Sequence, residues 1–146
     1  MNNLSPAVLA AEDEETDRFL LSTAFKRAGI SCPLVLVNDG QEAVEFLTAA
    51  AHQQPGNAGA LPRLVLLDIK MPRMNGLEVL YWLAERPEFK DVPALILSSS
   101  SQDADMQMAR QLGARDYLVK PFGLPALVRL VQHISARWLA PPATDQ

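Results

Sequence analysis

The sequence is short of the residues on which several kinds of site depend. It has one cysteine, Cys32, in 146 residues, which excludes an intrachain disulfide and a cysteine-based zinc cluster. Its two histidines, His52 and His133, stand far apart and argue against a histidine-rich metal site. It has no excess of positive charge: 13 Lys and Arg face 17 Asp and Glu, a net charge of −4. That balance argues against a chain that wraps nucleic acid, which needs a basic patch or stripe. No apolar run approaches the roughly 20 residues of a membrane span. No basic stretch followed by an apolar one opens the chain, so no signal peptide is read there. What remains is ordinary for a globular protein, 49% hydrophobic and 21% charged, and long enough for a real core without staples. The expectation is a single acidic, cytoplasmic domain over residues 1–146, with no membrane segment.

Five short apolar runs recur: Ala7–Ala11, Leu34–Val37, Leu64–Leu67, Ala94–Leu97 and Tyr117–Val119. Continuous rather than alternating runs suit parallel strands covered on both faces. Segments of helical period separate them. Glu14–Ala28 carries Leu20, Leu21, Ala24, Phe25 and Ala28 on one stripe before Gly29, a favourable residue just past a helix end. Helices are also predicted over Gln41–Ala51, Gly76–Arg86 (stopped by Pro87), Asp103–Leu112 and Leu124–Leu139. Five β-α units in alternation imply a doubly wound α/β fold with a five-stranded parallel sheet. The segment His52–Pro62 reads as a surface loop. Met1–Pro6 and Ala140–Gln146 read as mobile tails.

Ligands of such folds bind beyond the carboxyl ends of the strands. There the sequence places Glu12 and Asp13 after the first run, Asp68 after the third, Ser98 after the fourth and Lys120 after the fifth. Three crowded carboxylates repel one another unless a cation sits among them, and hard oxygen ligands favour Mg2+. An ionised Asp68 could attack phosphorus to form an acyl phosphate. Mg2+, an ammonium and a hydroxyl are the kinds of group that stabilise the charge developed in such a transfer. Each residue also has an everyday role open to it. Asp13 could N-cap the first helix, Asp68 could start a turn before Met71-Pro72, Lys120 could be a solvated strand-end lysine, and Ser98–Ser101 could be a polar loop. The set, not any member, is specific.

The set resembles the receiver domain of two-component response regulators. The matching stretches are 11–14 (AEDE), 39–43 (DGQEA), 66–76 (LLDIKMPRMNG), 93–99 (PALILSS), 113–117 (GARDY) and 119–122 (VKPF), within a span of about 6–139. The resemblance implies the flavodoxin-like, CheY-like (βα)5 architecture with strand order 2-1-3-4-5. It implies Asp68 as phosphoacceptor, Glu12 and Asp13 as the acidic pair for Mg2+, and the backbone carbonyl of Lys70 as a further ligand. Lys120 would contact the phosphoryl group, and Ser98 and Tyr117 would be the switch residues. Tyr117 would turn inward when Ser98 moves toward the phosphoryl group. The Lys120–Pro121 bond is expected to be cis. The expected function is that of a stand-alone regulator that takes a phosphoryl group from a sensor histidine kinase, of phytochrome-like type, and catalyses only its own phosphorylation and dephosphorylation. The kinase would contact the first helix and the Phe122-Gly123 loop. Output to an unidentified downstream protein, and a homodimer, would use the face of the fourth helix, fifth strand and fifth helix. On that face Leu124, Val128 and Trp138 read as ordinary packing or as a partner surface.

Other classes fit less well. A haloacid dehalogenase-type phosphatase wants a second Asp two residues after the nucleophile, where Lys70 stands. A flavodoxin-like FMN module wants a Ser-, Thr- or Gly-rich loop after the first strand, where four acids stand in a row, Glu12 to Glu15. A phosphorylation-independent interaction module stays open. Lys70 is expected to shield the phosphoryl group from water, and Cys32 to be a small packed residue.

Overall fold

A computed structural model describes residues 7–52 and 61–139. The expected tails and most of the expected loop at His52–Pro62 lie outside these residues. Five strands, β1 (Val8–Ala11), β2 (Leu34–Val37), β3 (Leu64–Leu67), β4 (Ala94–Ser98) and β5 (Asp116–Val119), alternate with α1 (Glu15–Arg27), α2 (Gly40–Ala51), α3 (Gly76–Ala84), α4 (Asp103–Gln111) and α5 (Leu124–Ile134). All pairings are parallel, in the order β2-β1-β3-β4-β5. No described helix is long and apolar enough to cross a membrane.

The apolar runs have no polar alternation because both sheet faces are covered. Leu9, Val65, Leu67 and Ile96 face one way and pack with Ala43 and Leu47 of α2, Val79 and Leu83 of α3, and Ala109 of α4. Val8, Leu64, Leu66 and Leu95 face the other way, against Leu21, Ala24 and Phe25 of α1 and Val131 and Ile134 of α5. Cys32, Leu124, Val128 and Trp138 pack on this second cluster, so the packing role holds for all four. Burial raises the thiol of the half-buried Cys32 above its usual pKa.

α1 and α4 end one residue before the expected position, and α3 and α5 end further short of it. α3 stops at Ala84 and Arg86 is extended, because a residue before proline is pushed out of the helical region. Pro87–Phe89 then forms a short 3-10 turn that stacks Phe89 on Trp82, ring centroids 5.3 Å apart. α5 stops at Ile134, and Ser135–Leu139 continues as a wider π-type turn. That turn brings Leu139 into the core, and Arg63 donates to its carbonyl oxygen at 2.8 Å.

The loop between β3 and α3 is held closely. A Cβ on Gly76 would meet the Asp68 carbonyl oxygen at 2.2 Å, and one on Gly40 would meet the Met74 carbonyl oxygen at 2.2 Å. The two glycines let the loop lie against the end of β3 and the start of α2. Asn75 caps α3 through a reciprocal capping box with Glu78.

Candidate functional site

The carboxyl ends of β1, β3, β4 and β5 share one edge of the sheet, because all its strands run in parallel. Register aligns them: Ala11 pairs with Leu67, and Ser98 with Val119. Glu12, Asp68 and Lys120 each follow a strand directly, Asp13 comes one residue later, and Ser98 is the last residue of its own strand.

Glu12, Asp13 and Asp68 each bring a carboxylate oxygen to within 4.8 Å of the others. Glu12 and Asp68 are buried, 4% and 8% exposed, and Asp13 is exposed. Asp13 does not cap α1: Glu14 occupies that position, with no side-chain capping bond. Nor is Lys120 a solvated lysine. Its ammonium donates to Glu12 Oε1, to Asp68 Oδ2 at 3.1 Å and to Asp17 Oδ2 at 3.2 Å.

Burial raises Glu12 from its usual value near 4.5 to about 7, against the lowering pull of Lys120 and with a further push from the Asp68 charge. Burial would lower the Lys120 ammonium, but the facing Glu12 and Asp68 carboxylates win and hold it well above its ordinary value. The cluster therefore carries more negative than positive charge in a partly desolvated place. A divalent cation relieves that imbalance, and an all-oxygen donor set suits a hard one.

Ser98 is 1% exposed and its Oγ accepts the Ser100 backbone N–H at 3.2 Å. Tyr117 packs against the α2–α3 side of the core and donates its hydroxyl to the Ser100 carbonyl oxygen at 2.8 Å. Its ring is half-buried. The Lys70 side chain is exposed. The Lys120–Pro121 bond is trans, and no described peptide bond is cis. The expectation of a cis bond does not hold, since the two isomers before proline differ by only about 0.5–1 kcal/mol.

Two features escaped the sequence reading. Asp17 reaches Lys120 from the first turns of α1. Its signal was present, for Asp17 stands four residues before Leu21 and seven before Ala24, on the apolar stripe of its helix. Arg73 has a left-handed backbone, φ 66°, and donates from Nε to Asp39 Oδ2 at 2.8 Å. No local pattern announced that pair.

The response regulator receiver domain family matches residues 8–132. This chain is a receiver domain. The response regulator Rcp1 of Synechocystis sp. is 32% identical over 140 residues, spanning 94% of this receiver and 92% of Rcp1. The Mn2+-bound form of Rcp1 superimposes with a TM-score of 0.77 at 30% identity, over 97% of this chain and 100% of Rcp1. A phosphorylated cyanobacterial phytochrome response regulator, RcpA, superimposes with a TM-score of 0.80 at 30% identity, over 93% of this chain and 95% of RcpA. The receiver's strand order is the one the sequence led us to expect.

Proposed function

We propose that this receiver accepts a phosphoryl group on Asp68 from the phosphohistidine of a sensor histidine kinase and signals through a change of surface shape. The observation that carries the reading is the junction of three carboxylates with one ammonium, Lys120 Nζ lying 3.1 Å from Asp68 Oδ2. Glu12, Asp13 and Asp68 would hold Mg2+, with the Lys70 backbone carbonyl as a further oxygen donor. Bound there, Mg2+ would neutralise charge on the phosphoryl oxygens. Asp68 attacks phosphorus, the P–N bond to imidazole breaks as the O–P bond forms, and the electron pair leaves with the imidazole nitrogen. Lys120 pairs with the oxygens newly placed on Asp68. Ser98 donates its hydroxyl to the same oxygens, giving up the Ser100 N–H, and that exchange passes to Tyr117 through the Ser100 carbonyl. The reading is supported by the family match and by relatives that include a phosphorylated and a Mn2+-bound regulator.

The kinship with RcpA favours a phytochrome-type kinase. The kinase would dock on α1 and the loop after β5, where Phe19 and Phe122 are exposed. Output to a downstream protein, and self-association, would use α4, β5 and α5, where the edge strand β5 exposes Val119. Incubation with Mg2+ and acetyl phosphate, read by intact mass, is expected to add one phosphoryl group to the wild type and none to Asp68→Asn. No adduct on wild type, or an equal adduct on the variant, would overturn the reading and leave a phosphorylation-independent interaction module.

A further inference from the structure

The three carboxylates that share the Lys120 ammonium are not equivalent. Glu12 and Asp68 belong to the acidic cluster itself. Asp17 does not: it stands on α1, outside that cluster, and Lys120 is its one ion-pair partner among the described residues. Its place is set independently of the lysine. The next residue, Arg18, donates from Nη1 to the Glu12 carbonyl oxygen at 2.9 Å and ties the first turns of α1 to the end of β1. Between α1 and Lys120 lies a cavity of about 60 Å³, lined by Glu12, Asp17, Leu21 and Leu97 among others, which leaves the ammonium room to shift.

A cation entering the cluster must compete with Lys120 for Glu12 and Asp68. The displaced ammonium, with only 19% of its side chain exposed, then needs another counter-charge, because an unpaired buried charge is costly. We propose that Asp17 is a positioning residue that draws the Lys120 ammonium outward and so frees the Glu12 and Asp68 carboxylates for a divalent cation. The idea rests on the acidic cluster being the cation site, and it needs no phosphorylation to be tested. Without Asp17 the ammonium settles on Glu12 and Asp68 alone, and the cation meets a stronger competitor.

Asp17 could instead act only as a distant negative charge. The two cases separate by cycle and by salt. Mn2+ binding is measured by calorimetry on wild type, Asp17→Asn, Lys120→Met and the double variant. Asp17→Asn is expected to weaken Mn2+ binding about tenfold, an effect on the scale of one close charge contact. In the Lys120→Met background the same change should shift binding less than about threefold, as it must when one residue acts through the other. Asp17→Glu should recover most of the loss. Should the lysine variants not fold, salt decides: a contact effect persists at about 0.5 M salt, whereas a field effect at a partly exposed carboxylate is screened away. Unchanged binding in Asp17→Asn, an equal loss in both backgrounds, or a loss that vanishes with salt overturns the proposal alone. No Mn2+ binding by wild type would overturn it together with the cation site.

Discussion

Two charged clusters flank the carboxyl edge of the sheet, and they are built on opposite plans. Around Lys120, one ammonium faces Glu12, Asp17 and Asp68, and the buried Glu12 is driven up to about 7. Around Asp39, one buried carboxylate is matched: it accepts the Glu42 N–H at 2.9 Å and the Arg73 guanidinium at 2.8 Å. Burial alone would raise Asp39, but these donors outweigh it and hold the carboxyl below its usual value. The second cluster is complete as it stands. It caps α2 and pins the β3–α3 loop, which Gly40 N–H also ties to the Met74 carbonyl oxygen at 3.0 Å. The first is incomplete without a further cation. An unresolved excess of buried charge marks a site that handles a ligand, and a balanced pair marks a fastener.

The contrast can be broken most strongly at Lys120. Lys120→Met leaves buried carboxylates without their counter-charge and should cost about 3 kcal/mol in EDTA, a typical figure for removing one partner of a buried pair. Millimolar Mg2+ should restore much of that loss in urea unfolding. An equal loss with and without Mg2+ would place the cation elsewhere.

The pH response comes next. Because Glu12 is raised in the folded state, its stabilising contribution is full below about pH 4.5 and is lost as pH rises through about 7. Cation binding runs the other way, since it needs the carboxylate ionised. In EDTA the melting temperature should therefore decline across this window on account of Glu12, and Mg2+ should flatten or reverse that slope. Calorimetry of Mg2+ binding should show affinity rising up to tenfold per pH unit below about 7, the limit for releasing one proton.

Asp39 should behave as a fastener. Asp39→Ala removes a helix cap and is expected to cost about 1 kcal/mol, the same with and without Mg2+. Because the Asp39 pKa is depressed, its contribution is present above the usual carboxylate value of 3.8 and is lost as pH falls through the folded value. The pH at which each cluster weakens thus has opposite sign, and acid titration of Asp39→Ala against wild type shows it.

The smallest effect is expected at Lys70, whose exposed side chain stands two residues after Asp68. If it shields the phosphoryl group, label should leave Lys70→Asn a few-fold faster than wild type. Faster loss from wild type would remove that role.

How much of this was legible beforehand follows from what each feature depends on. The strands and helices were readable because a sheet covered on both faces leaves uninterrupted apolar runs, and because Gly29, Pro87 and Gly113 punctuate the helices. The strand-end acids, Ser98 and Lys120 were readable because parallel topology carries every strand end to one edge. The end of α3 was set two residues late, since the helical period continued to Arg86 while Pro87 acted one residue upstream. The end of α5 was overrun because Leu139 keeps an apolar phase that a wider turn delivers. Arg73 with Asp39 was invisible, for it joins residues 34 apart in sequence through a backbone conformation that arginine rarely adopts.

The bond between Lys120 and Glu12 joins residues 108 apart in sequence. During synthesis β5 follows β3 and α3, so a chain grown only through Asp68 and α3 holds all three clustered acids but not Lys120. Such a chain also lacks β4 and β5, which form one side of its sheet. A product truncated there would carry the clustered acids of this receiver without the ammonium that bonds Glu12 and Asp68 in the folded chain.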